Sequence, residues 1–258
     1  YTRTYEEHAK ALESVFSRVS KYGLFFKAEK CKVFTKDLKF LGHIISEEGV
    51  STDPDKTRAV CEMPKPNTKK ALKSALGLFS YFRKYIQNFS RITSPLNKEL
   101  KLGPRDDQEK PVSDVNRKAF LKNKLIWTTK MTEAWDNLVR ALSSPPILIH
   151  PDWTAPFEVH ADACKKGLGA VLMQRDHDNR EKVVMFASKS LNDVETRYSI
   201  WELEAYACVW GVGVFRQYLL PPFGRRFKIF TDSTSVKYAL GNAKHDKSTR
   251  LSHWIVQM

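Results

Sequence analysis

Apolar side chains recur at Tyr5, Ala9, Leu12, Val15, Phe16 and Val19, the spacing of one helical face, so a helix is predicted over 4–23. Thr4 and Glu7 form a capping box at its start, and Gly23 stops it. Two β-like runs follow at 24–27 and 32–34, then a third over 39–46 that closes at the Glu48-Gly49 turn. Asp53-Pro54 opens a second helix with proline in its first turn. Beyond the break MPKPNT, residues 68–85 read as one long amphipathic helix. Its apolar set is Leu72, Ala75, Leu76, Phe79 and Phe82, with Ile86 just beyond, and Lys69, Lys70, Lys73, Arg83 and Lys84 lie outside. A third helix is expected over 94–100, and residues 102–125 are polar and weakly patterned, as in a linker or surface insertion. A helix over 132–142 ends at Pro145-Pro146. From Pro156 the pattern changes to strands over 157–161, 170–174 and 183–187, a helix over 199–219, a strand over 227–231 and a short helix over 235–240. The first part thus reads as α+β followed by a small helical bundle, and the last as a mixed sheet with packed helices.

Charge divides the chain unevenly. Residues 1–150 hold 28 basic and 17 acidic side chains, whereas the whole chain carries 43 and 29. A basic front half beside a near-neutral back half points to a module that grips a polyanion next to a second, catalytic one. The four cysteines, Cys31, Cys61, Cys164 and Cys208, form no CxxC pair, which suits a reducing, intracellular compartment and argues against zinc or a disulfide framework. His43, His150 and His160 have no metal-ligand spacing with them. No apolar run reaches membrane-spanning length, so no membrane partner is expected. A phosphate-cradling GxxxxGK[ST] is absent, and Gly167-x-Gly169 reads as a hairpin turn. The chain opens on Tyr1 and stops inside the helical pattern RLSHWIVQM, as a piece of something longer would.

The candidate chemistry lies in three carboxylates. Asp162 closes the run FEVHAD, Asp232 closes FKIFTD, and Glu204 lies on the helix IWELEAYACVW. Mg²⁺ takes hard oxygen ligands and keeps several waters, so a few carboxylates suffice to hold a metal pair for phosphodiester hydrolysis. The two aspartates converge if their strands are neighbours, and a glutamate on a helix crossing the sheet completes the cluster. Glu202 competes for the helical place; Glu204, four residues from Ile200 and from Cys208, lies nearer the buried stripe, where an unpaired charge is costly. Strand-end aspartates also cap turns, and Asp232 before Ser-Thr-Ser has that second reading.

The segments AEKCKVFTKDLKFLGHIISEEGVSTDPDKTRAV, LKSALGLFSYFRKYIQNFSRITSPL and PDWTAPFEVHADACKKGLGAVLMQ, followed by FASKSLNDVETRYSIWELEAYACVW, FRQYL, FKIFTDSTSVKYAL and RLSHW, closely resemble in order the pol polyprotein of gypsy-type LTR retrotransposons and their retroviral relatives. The resemblance spans all but residues 102–125. It implies an α+β palm remnant with a primer-grip hairpin (1–52), a helical thumb (53–101), a linker or connection (102–150) and an α/β ribonuclease H-like domain (151–258) truncated at its C-terminus. It makes Asp162, Glu204 and Asp232 three of four metal-binding carboxylates, served by two Mg²⁺ ions or by Mn²⁺ in their place. Phe40, Leu41, Gly42 and His43 become the primer grip. Gly77 and Tyr81 fall on the thumb helix that tracks the duplex, with Lys73, Arg83 and Lys84 as neighbouring basic contacts; simple packing is the other reading of Gly77 and Tyr81.

Cys164 stands near the first aspartate where the family usually has serine, and Ser233 follows the third carboxylate where histidine is usual. The polymerase aspartate pair would precede Tyr1 and the fourth carboxylate would follow Met258, so no polymerase activity is expected of these residues alone. Two functions fit: a reverse transcriptase fragment that binds an RNA–DNA hybrid or structured RNA and cuts the RNA strand, or an inactive domesticated copy acting as an RNA- or protein-binding subunit of a larger nucleoprotein assembly.

Overall fold

The structure is a computed structural model and describes residues 2, 4–101, 120–220, 227–234 and 236–237. Its first helix, α1 (Tyr5–Lys21), begins where the capping residue Thr4 accepts a hydrogen bond from Glu7 N at 3.2 Å. The helix is amphipathic, yet none of its residues is buried. The two β-like runs after it form no strand. That segment is irregular apart from a 3-10 turn at Ala28–Lys30, and Phe25 is 95% exposed. A strand needs a neighbour for its N–H and C=O groups, and among the described residues nothing pairs with these.

Strands β1 (Leu38–Phe40), β2 (His43–Ile45) and β3 (Val50–Thr52) pair antiparallel in that order. The single run expected over 39–46 is therefore two strands. Leu41 (φ 47°) and Gly42 (φ 74°) both take left-handed backbone and reverse the chain within two residues. Helix α2 (Pro54–Cys61) starts on Asp53, whose carboxylate accepts from Asp55 N at 3.1 Å. Helix α3 (Lys69–Tyr81) starts on Thr68 but stops short of residue 85, because the chain tightens into a 3-10 turn at Arg83–Tyr85. Helix α4 (Phe89–Leu100) begins well before the expected Ser94 and runs through Pro95. Burial of Phe89, Ser90, Thr93 and Leu96 outweighs the backbone hydrogen bond that a proline cannot make.

Of the stretch expected as a linker, residues 102–119 lie outside the described residues. At its end Leu125 is buried and donates its N–H to Asn67 O at 2.8 Å, so that part is tied to the helical layer. Helix α5 (Thr129–Ser143) then sends Met131, Trp135, Leu138 and Leu142 into one core with Leu72, Phe79 and Leu96. Phe79 and Trp135 meet edge to face with ring centroids 5.4 Å apart.

The second sheet comprises β4 (Glu158–Cys164), β5 (Gly167–Arg175), β6 (Glu181–Ser190) and β7 (Lys228–Phe230), in the order β6-β5-β4-β7. Only β7 runs parallel to its neighbour, β4. The helix expected over 199–219 divides at the buried Phe215 into α6 (Ile200–Val214) and α7 (Arg216–Leu219). Of the short helix expected over 235–240, residues 235 and 238–240 lie outside the described residues.

Both faces of the second sheet are covered. Val159, Ala161, Ala170 and Leu172 pack under α6 and α7, while Phe186, with Val171 and Val183, joins the helical core on the opposite face. This explains why β5, central in the sheet, reads as the nearly unbroken apolar run GLGAVLM. The glycines read as a hairpin turn lie inside β5, and Lys165-Lys166 make the turn instead. A Cβ on Gly167 would stand 2.8 Å from Ser90 Oγ of α4, and one on Gly169 would stand 3.0 Å from Asn88 Oδ1. Their missing side chains let the helical layer approach the sheet closely. The junction is fastened by Ser90 N donating to Ser188 Oγ at 3.1 Å and by the Arg83 guanidinium donating to Ser188 O.

Candidate active site

Strands β4 and β7 are the neighbours that convergence of the aspartates requires. Their register pairs Glu158 with Lys228, Val159 with Ile229 and His160 with Phe230. The same offset, carried two residues past β7, sets Asp232 level with Asp162. Asp162 lies within β4, which continues to Cys164, and not at the strand end that the apolar run implied. Both aspartates are exposed.

Glu204 approaches from α6, which crosses β4 and β5. Gly211 of that helix sits so near the sheet that a Cβ would meet Ala170 Cβ at 3.2 Å. The two candidate glutamates have different positions. Glu202 serves the capping box of α6, its Oε2 accepting from Ser199 N at 2.8 Å. Glu204 is only 8% exposed, and its Oε2 is buried without a hydrogen-bond partner. Burial, then the charges of Asp232 and Asp162, push its carboxyl up to about 7, and the Ala163 backbone N–H opposes them. Burial, with the Glu204 charge adding to it, also pushes the neighbouring Cys208 thiol up to about 11.

The site therefore gathers three carboxylates, one with an unsatisfied buried oxygen, and among the described residues no positive charge compensates Glu204. A hard divalent cation fits that donor set. Glu158, His160 and Glu181 also come within reach of a common ion. There, however, Arg175 already supplies the positive charge, 3.1 Å from Glu158 Oε1 and 2.8 Å from Glu181 Oε1. A network that residue patterning did not reveal holds α6 in place. Lys189 Nζ lies 2.5 Å from Glu195 Oε1 and 2.7 Å from the Tyr206 hydroxyl, which in turn donates to Glu195 at 3.0 Å. Glu195 lies in a turn without periodicity, so its burial had no signal in the sequence.

The residues expected to touch nucleic acid form a second cluster. The Leu41-Gly42 turn lies between the paired residues Phe40 and His43, and Leu41 is 70% exposed. Tyr81 is 51% exposed, donates its hydroxyl to Leu41 O and stacks on His43 at 5.4 Å, so it buttresses the hairpin and does not fill the core. The Tyr85 hydroxyl lies 3.0 Å from His43 Nδ1. Burial, then the Lys84 charge, lowers the His43 pKa, and burial lowers that of Lys84. Gly77 and Lys73 face outward on α3, and a Cβ on Gly77 would meet nothing within 4 Å, which sets packing aside as its reason. Arg83 is directed to the sheet through Ser188.

The chain is similar to known proteins in both sequence and fold. Residues 127–229 match the family model of the RNase H-like domain found in reverse transcriptase. Over 257 residues the chain is 33% identical to the retrovirus-related Pol polyprotein from transposon opus of Drosophila melanogaster, an alignment covering 98% of this chain and 24% of that protein. It is 31% identical over 258 residues to the Pol polyprotein from transposon 297 of the same species, covering 100% and 22%. The Tf2-3 polyprotein of Schizosaccharomyces pombe is 28% identical over 254 residues, covering 98% and 18%. The chain thus spans about a quarter or less of the length of these relatives.

Among solved structures, the foamy viral protease-reverse transcriptase dRH in complex with dsDNA matches with TM-score 0.73 and 22% identity, covering 99% of this chain and 42% of that one. The same viral protein in complex with an RNA/DNA hybrid matches with TM-score 0.72 and 22% identity, covering 99% and 32%. At that identity the likeness establishes the fold. Residues 127–229 are an RNase H-like domain of the reverse transcriptase kind, in a chain homologous to the Pol polyproteins of LTR retrotransposons.

Proposed function

We propose that this chain is a reverse transcriptase portion that grips an RNA–DNA hybrid and cleaves its RNA strand at Asp162, Glu204 and Asp232. In this reading residues 1–52 are the end of the palm, 53–101 the thumb, 102–150 the connecting segment and 151–258 the ribonuclease H-like part, with residues 127–150 of the connecting segment falling inside the RNase H-like match. The observation that carries it is the partnerless buried oxygen of Glu204, flanked by two further carboxylates. The relatives named above and the hybrid held by the foamy viral protein support the same reading.

Divalent cations, when bound, supply the Lewis acidity that phosphodiester hydrolysis needs. Asp162 and Asp232 would hold them through exposed carboxylates, and Glu204 through one that is buried. With its proton affinity raised, Glu204 would hold a proton near neutral pH in competition with a cation. The Phe40–His43 hairpin, clamped by Tyr81, and the outward face of α3 with Lys73, Gly77 and Lys84 hold the nucleic acid. Recognition is by shape and backbone, with the 2′-hydroxyl marking RNA.

The test is incubation of the whole chain with a labelled RNA–DNA hybrid and Mg²⁺, beside an Asp162→Asn variant. Cleavage that the variant loses while still binding hybrid is the expected result. Hybrid binding without cleavage by either protein would favour the inactive, domesticated subunit.

A further inference from the structure

Asn88 belongs neither to the carboxylate cluster nor to the Phe40–His43 hairpin, yet its geometry is unusual. It holds left-handed backbone (φ 55°, ψ 30°) directly before α4. An asparagine in that place ordinarily accepts a first-turn N–H, but the Asn88 side chain makes no capping bond. Nor does any other hydrogen bond reach that side chain among the described residues. It is turned to the second sheet, with Oδ1 3.0 Å from the position of a Cβ on Gly169. Gly169 is the cross-strand partner of Asp162, so the two project from the same face. Gln87, Asn88, His160, Asp162 and Gly169 line one pocket of about 120 Å³. Such a pocket has room for a small polar group beside Asp162.

We propose that Gln87 and Asn88 form the wall opposite Asp162 and hold the sugar–phosphate backbone of the RNA strand entering that site. A side-chain amide offers two N–H donors for phosphate oxygens and a carbonyl that accepts from a 2′-hydroxyl, the group that distinguishes RNA from DNA. The site is then composite. Its carboxylates come from the sheet and α6, and its backbone contacts come from the helical layer that packs on the sheet through Arg83 and Ser90. The absent side chain at Gly169 is what lets the two walls close on the pocket. A left-handed residue kept at a pocket rim, its amide left unused by the helix it precedes, fits a binding role better than a capping one.

The proposal rests on the hybrid-cleavage reading, and the experiment separates the two. Whole-chain Asn88→Gly keeps the left-handed backbone and deletes the amide, whereas Asn88→Asp keeps the shape and replaces the donors with an acceptor. Affinities for a labelled RNA–DNA hybrid and for dsDNA of the same sequence are measured at fixed salt in EDTA, and cleavage kinetics in Mg²⁺. Loss of one or two hydrogen bonds predicts about a tenfold weaker hybrid affinity for Asn88→Gly, a smaller effect on dsDNA, and a KM that rises more than kcat falls. Asn88→Asp loses more, because its carboxylate faces phosphate. Unchanged affinity for both duplexes overturns the proposal, as does weakening that appears only with a lowered thermal midpoint, which would mark Asn88 as packing. Failure of the wild-type chain to cleave would sink the cleavage reading, while the hybrid-against-dsDNA comparison would still decide the role of Asn88.

Discussion

Replacing Glu204 with glutamine should stabilise the metal-free protein at neutral and alkaline pH while removing the carboxylate that the proposed site needs. Burial and two neighbouring carboxylates raise the folded-state pKa of Glu204 from 4.5 to about 7. The folded protein therefore keeps this proton at a pH where the unfolded chain has released it. Its contribution to stability falls as pH climbs from 4.5 toward about 7 and levels off above that. At about 1.4 kcal/mol per pH unit, that interval corresponds to roughly 3 kcal/mol. Glutamine keeps the shape and the acceptor for Ala163 N–H and carries no charge at any pH. The variant and wild type should unfold alike near pH 5 in EDTA. By pH 8 the variant should unfold about 6–12 °C higher, at about 2–4 °C per kcal/mol for a chain of this size. Mg²⁺ should raise the wild-type midpoint and leave the variant nearly unmoved, because only the carboxylate gains from the cation. Differential scanning fluorimetry from pH 5 to 8, with and without Mg²⁺, reads all of this. Parallel pH profiles for the two proteins in EDTA would refute the reasoning.

Phe79 is fully buried against Trp135 at the centre of the helical core, so Phe79→Ala should cost about 3–5 kcal/mol. A denaturant midpoint that drops with an unchanged m-value checks this, and a cost below about 1 kcal/mol would mean that the two helices do not pack as described. Lys73 and Lys84 lie on the proposed duplex-facing surface with no carboxylate partner among the described residues. Exchanging both for methionine should flatten the dependence of log affinity on log salt by about two, measured on the hybrid between 50 and 200 mM salt as an order-of-magnitude range.

Much of this fold is legible in the sequence where one local rule decides. Thr4, Asp53, Thr68 and Ser199 announce their helices because a short polar side chain ahead of an apolar period has one good use. The β4 and β7 aspartates are likewise visible as charges closing apolar runs. Reading failed where distant partners decide. Residues 24–27 and 32–34 have strand composition and, among the described residues, no strand beside them. Helix α4 starts early because the sheet and α5 cover its first turn, which outweighs the warning given by Pro95. Gly167 and Gly169 resemble turn residues, and only the approach of Ser90 and Asn88 reveals them as spacers. Choosing Glu204 over Glu202 needed the capping box seen in three dimensions, although the buried-stripe argument pointed the same way. The unused amide of Asn88 has no sequence signature, since an asparagine before a helix looks like a cap.

The core that joins α5 and Phe186 to the earlier helices has a consequence for biosynthesis. Leu72, Phe79 and Leu96 leave the ribosome well before Trp135 and Leu142, and Phe186 follows later still. Domains generally fold in the order in which they are made, but here the first half has no complete interior until the second is under way. A nascent chain paused anywhere between α4 and β6 exposes the apolar faces of α3 and α4. Chaperone dependence should therefore be greatest over that interval, and translation stalls placed there should yield more aggregate than stalls placed after β6.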